Sequence, residues 1–350
     1  YLIEKLPKTE KELKEKFTSM SYSDDLDLKN EKPREIIGKY ANFLKVKCFD
    51  PWLNLTINDY DKVGVCCHSV SFTMNNKKTK NESSVNLSDI WYGPYFENMR
   101  ESILNNNLKQ FCSFCSNTDA VFFTNELANV LKEREDIIKE NNSVIPEDIP
   151  KEQINRLKQW MDGKKPGPYS LELYTDDGCN LECKFCGNDH VNVKHLDFKV
   201  ANNIIDQGHE MGIRLVRILG GGDPFFKRKE LMGLIKKIKS YGMFGYVVTN
   251  GTLFSEEDIN TIVRIRWDEL RISLHGATES THDFITGKKG AFNLVMRNLN
   301  LFRYYKEKYD LVYPKIKINF VLNKQNYKEI EKMADLCHQL CCDLVILALE

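Results

Sequence analysis

Downstream of Pro168, short apolar runs alternate with helical stretches, and this alternation constrains the fold of the 350-residue chain more than any other feature. The runs YSLELY, LVRIL, FGYVVT, ELRISL, KIKINFVL and LVILAL read as strands, and one intervening stretch sets Leu231, Leu234, Ile235 and Ile238 on a single helical face. Six strand-helix alternations imply an α/β fold with parallel strands joined by right-handed crossovers. Such units curl into a full or partial barrel or lie flat as a doubly wound sheet, and in either case ligands collect at the carboxyl ends of the strands. Four distinctive pieces fall at those ends: CNLECKFC (179–186), GGGDP (220–224), TNG (249–251) and SLHG (273–276).

Eleven cysteines cluster as Cys48, Cys66 with Cys67, Cys112 with Cys115, then Cys179, Cys183 and Cys186, and finally Cys337, Cys341 and Cys342. The opening YLIEKLPKTEKELKEKF is too charged for a secretory signal, and no apolar run approaches the roughly 18 residues that span a bilayer. A cytoplasmic location without a membrane partner is expected, and in a reducing compartment close-spaced thiols signal metal or redox chemistry rather than disulfides. Fifty basic residues balance fifty acidic ones, so no general charge attracts nucleic acid. The last cysteine group sits with Ile330, Met333, Leu336 and Leu340 on a helical pattern and reads as buried structural thiols.

Thiolates are soft ligands that select zinc, copper(I) or iron-sulfur clusters. Structural zinc takes four protein ligands, and His190 could complete Cys179, Cys183 and Cys186. A four-iron cube held by three cysteines leaves one iron open. Context separates the two readings, because a zinc knuckle requires neither the strand-helix array nor a triple glycine at the next strand end. Asp223 before Pro224 could simply start a turn. His275 is either a functional group or a hydrogen-bonded core histidine, and His282 and Asp283 read as surface or capping groups.

CNLECKFC followed by GGGDP, TNG and SLHG on successive strand ends resembles the radical S-adenosylmethionine (SAM) superfamily over residues 168–350. The resemblance implies a partial (β/α)6 barrel in which Cys179, Cys183 and Cys186 hold a 4Fe-4S cluster whose fourth iron is chelated by SAM. It implies that Phe185 lies beside the adenine, that Gly220, Gly221, Gly222 and Asp223 receive the methionine amino group, and that Thr249 and Ser273 touch the ribose or carboxylate. It also implies an electron donor such as flavodoxin or ferredoxin, and reductive cleavage of SAM to a 5'-deoxyadenosyl radical that abstracts hydrogen. The chain departs from the family pattern at Asp223, where glutamate is commoner, at His275, where aspartate is common, and at Thr286, near the place of an arginine for the SAM carboxylate. His275 is the candidate catalytic residue.

Residues 1–167 read differently. A charged helical lead-in (1–45) precedes CFDPWLNLTINDYDKVGVCC, in which alternation and an NDYDKVG turn predict a short hairpin. A charged helical connector (119–167) ends in the breaker-rich DGKKPGP. Between them, the thiols of Cys48, Cys66, Cys67, Cys112 and Cys115 could form a zinc ribbon. Their surroundings, with WYGPYF and FCSFC, resemble instead a SPASM-type accessory domain (46–118), an α+β unit placed N-terminal to the core. That resemblance implies a second, auxiliary 4Fe-4S cluster. Trp52, Trp91 and Tyr92 are expected in the core.

The expected function is radical SAM chemistry on a peptide or protein residue, with net oxidation or cross-linking. An alternative is the same chemistry on a small polar substrate such as a sugar, nucleotide sugar or aminocyclitol. A rival of another class is a non-catalytic zinc protein that binds a partner, and RNA modification is a third option that the neutral charge disfavours.

Overall fold

The computed structural model describes residues 48–58, 62–66, 72–73, 85–105, 107, 111, 148–161, 163–188 and 193–348. Among the described residues nine strands form one sheet: β1 (Asn54–Asn58), β2 (Lys62–Gly64), β3 (Phe72–Thr73), β4 (Ser170–Tyr174), β5 (Leu215–Leu219), β6 (Phe244–Thr249), β7 (Glu269–Ser273), β8 (Lys315–Leu322) and β9 (Asp343–Ala348). Their order is β3-β2-β1-β4-β5-β6-β7-β8-β9, and β4 to β9 are mutually parallel and sequential. The six strands expected after Pro168 are all present. The described helices are α1 (Asp50–Leu53), α2 (Leu87–Trp91), α3 (Pro94–Leu104), α4 (Asp148–Met161), α5 (Phe198–Glu210), α6 (Arg228–Ser240), α7 (Glu256–Arg264), α8 (Glu279–Thr286), α9 (Ala291–Tyr309) and α10 (Ile330–Gln339).

Local sequence explains the elements. Leu231, Leu234, Ile235 and Ile238 are all fully buried along α6. Ser255 and Asp258 form a capping box at the start of α7, and Asp197 caps α5. Thr278 caps α8, which ends at Gly287 in the left-handed conformation (φ 69°). On the strands, Leu171, Leu173, Val216, Ile218, Val247, Leu270, Ile272 and Ile318 are fully buried, whereas the alternate residues Glu172, Arg217, Tyr246, Arg271 and Lys317 are only partly covered. The sheet therefore has one apolar face and one polar face, unlike the run of bulky apolar residues usual on both faces of a parallel sheet.

The expected hairpin is observed: β1 and β2 pair antiparallel, with Ile57 opposite Val63. Its first strand also pairs parallel with β4, Leu55 lying opposite Leu171, so the described part of residues 46–118 extends the same sheet and shares one hydrophobic core with it. Trp52 and Trp91 are buried in that core and Tyr92 packs against it. In the C-terminal group, Cys337 is buried and Cys342 partly so, but Cys341 is exposed. The expectation of three buried thiols is thus corrected, because the chain leaves α10 at Cys341 with φ 53° and turns its side chain out. Among the described residues no helix is long and apolar enough to cross a membrane.

Helix α4 is tied to the sheet by Arg156, whose buried guanidinium donates to the carbonyls of Gly167 (2.8 Å), Pro168 (2.5 Å) and Gly212. Arg156→Met leaves these carbonyls without a donor, and urea unfolding should report a loss of about 2–4 kcal/mol. A loss below about 0.5 kcal/mol would show that the guanidinium is not what anchors the helix.

Candidate active site

The loops after β4, β5, β6 and β7 surround a cavity of about 290 Å³. Into it come Cys179, Cys183, Phe185 and Cys186 from the first loop and Gly220, Gly221, Gly222 and Asp223 from the second. Thr249 and Asn250 arrive from the third, Ser273 and His275 from the fourth, and Thr286 from the end of α8. Every cavity residue that the sequence assigned to residues 168–350 is brought to this one mouth.

Backbone contacts hold the cysteine loop. The N–H groups of Glu182 and Lys184 donate to the carbonyls of Thr286 (3.0 Å) and Ile285 (2.9 Å), and Cys186 N–H closes a turn on Cys183 (2.9 Å). On its other side the glycine loop lies directly against residues 176–178: Gly222 N–H donates to Asp176 O (2.9 Å) and Asp223 N–H to Gly178 O (2.8 Å). A Cβ at Gly220 would collide with the carbonyl of Asp176 and one at Gly222 with the carbonyls of Asp177 and Gly178, whereas one at Gly221 meets only the movable Asp177 carboxylate. Gly220 and Gly222 are therefore needed for loop-to-loop packing, a reason beyond the ligand access expected from sequence.

Asp223 is buried, and both its oxygens are engaged. Oδ1 accepts from Phe225 N–H (2.9 Å), Oδ2 from Asn250 N–H (2.6 Å), and the Thr249 hydroxyl reaches both, at 3.1 and 2.9 Å. The turn-starting and site readings of Asp223 thus coexist, since it caps the short helix 224–227 and also binds the β5 loop to the β6 loop. Burial pushes its carboxyl above the ordinary value, against these hydrogen bonds. Thr249 is saturated as well, because its hydroxyl also accepts from Gly251 N–H (3.1 Å).

Asn250 was not singled out from the sequence. Its side-chain amide donates to the Cys179 sulfur at 3.7 Å and to Asn180 Oδ1 at 2.9 Å, and its carbonyl accepts from Thr252. The available signal was its position in the middle of TNG at a strand end.

His275 is 4% exposed, and its ring meets Phe185 edge-on at 4.9 Å between centroids. Nδ1 accepts from Val321 N–H (3.3 Å), so the proton of the neutral ring lies on Nε2. His282 is fully buried, which corrects the expectation of a surface or capping residue: its Nδ1 accepts from His275 N–H at 3.0 Å on the inner face of α8. Asp283 does cap, taking the N–H groups of Gly290 and Phe292 at the start of α9.

Burial raises the thiol of Cys179 and pushes that of Cys183 up to about 12, with the neighbouring thiols adding to the effect. Cys186 is exposed at the mouth. Among the described residues no group of three or more His, Cys, Asp or Glu side chains converges on a single metal ion. Cys48 and Cys66 are partly buried and do not line the cavity; Cys66 follows β2, whose last residue Gly64 pairs with Thr56. Cys67, Cys112, Cys115 and His190 lie outside the described residues.

Residues 173–337 match the model of the Radical SAM superfamily. Over that stretch, just under half of the 350 residues, the chain is similar to this superfamily. Members of this superfamily use a 4Fe-4S cluster and SAM. Among curated proteins the chain is similar to an AdoMet-dependent heme synthase of Methanosarcina barkeri (29% identity over 166 residues, 47% of this chain and 45% of the relative). It is also similar to the Fe-coproporphyrin III synthase of the same organism (29% over 204 residues, 54% and 48%). The chain spans about half the length of these relatives. Among solved structures it is similar to Streptococcus suis SuiB bound to S-adenosylmethionine, at 20% identity and a TM-score of 0.46, covering 67% of this chain and 53% of that one.

The cavity residues fit the two groups. Cys179, Cys183 and Cys186 all line it, soft donors of the kind an iron-sulfur cube requires, and the backbone of Gly220, Gly221 and Gly222 lines it beside them.

Two outcomes follow. Asp223→Asn replaces an acceptor oxygen by an NH2 facing the N–H of Asn250 or Phe225, and should lower stability by about 2 kcal/mol in urea unfolding, with weakened SAM affinity in equilibrium dialysis. Burial holds His275 down at about 3 and His282 at about 4, whereas the unfolded chain protonates both near about pH 6.5. Below that pH the unfolded state binds more protons, so stability falls with pH by about 1.4 kcal/mol per unit for each ring. His282→Gln should flatten that slope by one ring's share, and an unchanged slope would refute the assignment.

Proposed function

We propose that this chain is a radical SAM enzyme that acts on a peptide or protein residue in a net oxidation or cross-link. The observation that carries the radical SAM reading is the convergence of the three thiols, the glycine loop and the polar strand ends on one cavity. Cys179, Cys183 and Cys186 would hold the cluster, which supplies the electron that cleaves SAM to methionine and a 5'-deoxyadenosyl radical.

Each residue at the mouth then has a part. Phe185, fixed by His275, offers its ring to the adenine. The backbone of Gly220, Gly221 and Gly222 receives the methionine amino group, while Asp223 and Thr249 act at one remove by holding the two loops together. Ser273 is left to meet the ribose or carboxylate. His275 stays neutral across the physiological range and serves as an Nε2–H donor rather than a titrating acid or base. Asn250 orients the Cys179 sulfur. The cavity lining carries no lysine or arginine among the described residues, so the SAM carboxylate depends on neutral donors here.

In this reading residues 46–118 form the SPASM-like accessory module, attached through β1, and Cys48, one of the adjacent pair Cys66 and Cys67, Cys112 and Cys115 would hold an auxiliary cluster able to take up an electron from the substrate. A small electron carrier, such as flavodoxin or ferredoxin, supplies the first cluster. The proposed location is the cytoplasm, a reducing compartment in which close-spaced thiols stay available for metal binding.

Anaerobically reconstituted protein should be brown, and with dithionite and SAM it should form 5'-deoxyadenosine. Cys183→Ala should abolish this product while leaving the auxiliary iron, about half the total, in place. Colourless protein with stoichiometric zinc would instead establish the non-catalytic rival. Deuterium from a labelled precursor peptide should appear in 5'-deoxyadenosine. Coproporphyrin is the control arm, given the names of the archaeal relatives. Label arriving only from coproporphyrin would overturn the peptide assignment.

A further inference from the structure

We propose that the polar face of the sheet, one layer of side chains beneath the cavity, is the substrate chamber, and that Arg217 and Arg271 receive a carboxylate of the substrate there. This rests on the radical SAM reading above.

Strand periodicity makes the layers. Tyr174, Leu219, Val248 and Ser273 line the cavity, one from each of β4 to β7. Two residues earlier on each strand, and so on the same face, stand Glu172, Arg217, Tyr246 and Arg271, with Glu172 opposite Arg217 and Arg217 opposite Tyr246. At about 3.3 Å per residue this second layer lies roughly 7 Å deeper. Parallel barrels fill this position with branched apolar residues. Here it is charged and partly open, the side chains of Arg217 and Arg271 being 22% and 33% exposed.

The cations are incompletely matched. The nearest carboxylate to Arg217 is Glu172 at 3.9 Å, and among the described residues its guanidinium makes no hydrogen bond. Asp50 also lies within the field of Arg217, and burial raises the carboxyls of both Glu172 and Asp50. Arg271 donates only through Nε, to Glu269 at 2.6 Å, leaving its two terminal nitrogens without a partner among the described residues. Its guanidinium is fixed over the Tyr246 ring at 4.3 Å, and Lys317 takes the other oxygen of Glu269 at 2.8 Å. Two pre-positioned forks with unused donors suit a planar, two-oxygen acceptor.

The test uses the reconstituted full chain with SAM, titrated calorimetrically with N-acetyl-glutamate α-amide and with its neutral isostere N-acetyl-glutamine α-amide. The acid should bind about ten-fold tighter or more. Arg217→Gln and Arg271→Gln should each bring the ratio close to one, while exposed Arg303→Gln, on α9, should not. Arg217→Lys, which keeps the charge, covers a fold failure of Arg217→Gln and should retain part of the preference. Gly-Glu-Gly amide against glutarate then separates a peptide side chain from a small acid, either of which supports the proposal. Equal binding of acid and amide, binding of neither, or a preference that survives both substitutions overturns it. Failure of the radical SAM reading is distinct, seen as protein that neither holds iron nor cleaves SAM.

Discussion

The carboxylate of Asp223 is the interaction on which the mouth of the sheet depends. It joins two loops that belong to different strands, one carrying the glycines and the other carrying Thr249 and Asn250. Asn250 in turn reaches the Cys179 sulfur, and the glycine loop rests on the backbone immediately before that cysteine. A buried carboxylate is tolerated only because four donor contacts surround it. The arrangement of the thiols is thus set through a carboxylate that need not touch a ligand.

Periodicity made the core legible. The runs at β5, β6 and β8 match the observed strands residue for residue, because alternation and flanking breakers are local signals. The hairpin at β1 and β2 was legible from its turn, but its parallel pairing with β4 was not. Nothing in residues 54–58 records which distant edge they will join. His282 was misread for a similar reason: a histidine flanked by Thr281 and Asp283 looks solvated, yet α8 turns that position inward, where the His275 backbone waits for an acceptor. Cys341 was misread because a left-handed residue at a helix end is invisible to a helical-face argument. Asn250 was passed over because its neighbour Thr249 carried the resemblance. Its importance comes from a contact across 71 positions of sequence.

The polar face of the sheet was present in the sequence as Glu172, Arg217, Arg271 and Lys317, inside runs that were read simply as strands. In a sheet covered on both sides such residues would be excluded, since an unpaired charge in a dry interior is too costly. Here they persist at strand centres because they pair among themselves, Glu172 with Arg217 and Glu269 with Arg271 and Lys317, on a face that is partly open. The sheet therefore carries two layers on one side: a mouth of neutral donors and thiols, and beneath it a band of guanidinium and carboxylate groups.

That division of charge has a physical logic. On the proposed reading a radical formed at the mouth would take hydrogen from whatever lies within reach, so the upper layer benefits from groups that do not exchange protons readily. His275 and His282 are kept neutral by burial. On the proposed reading the charged groups stand one layer down, roughly 7 Å along the strands from the cavity residues, where they orient a substrate by direct ion pairing.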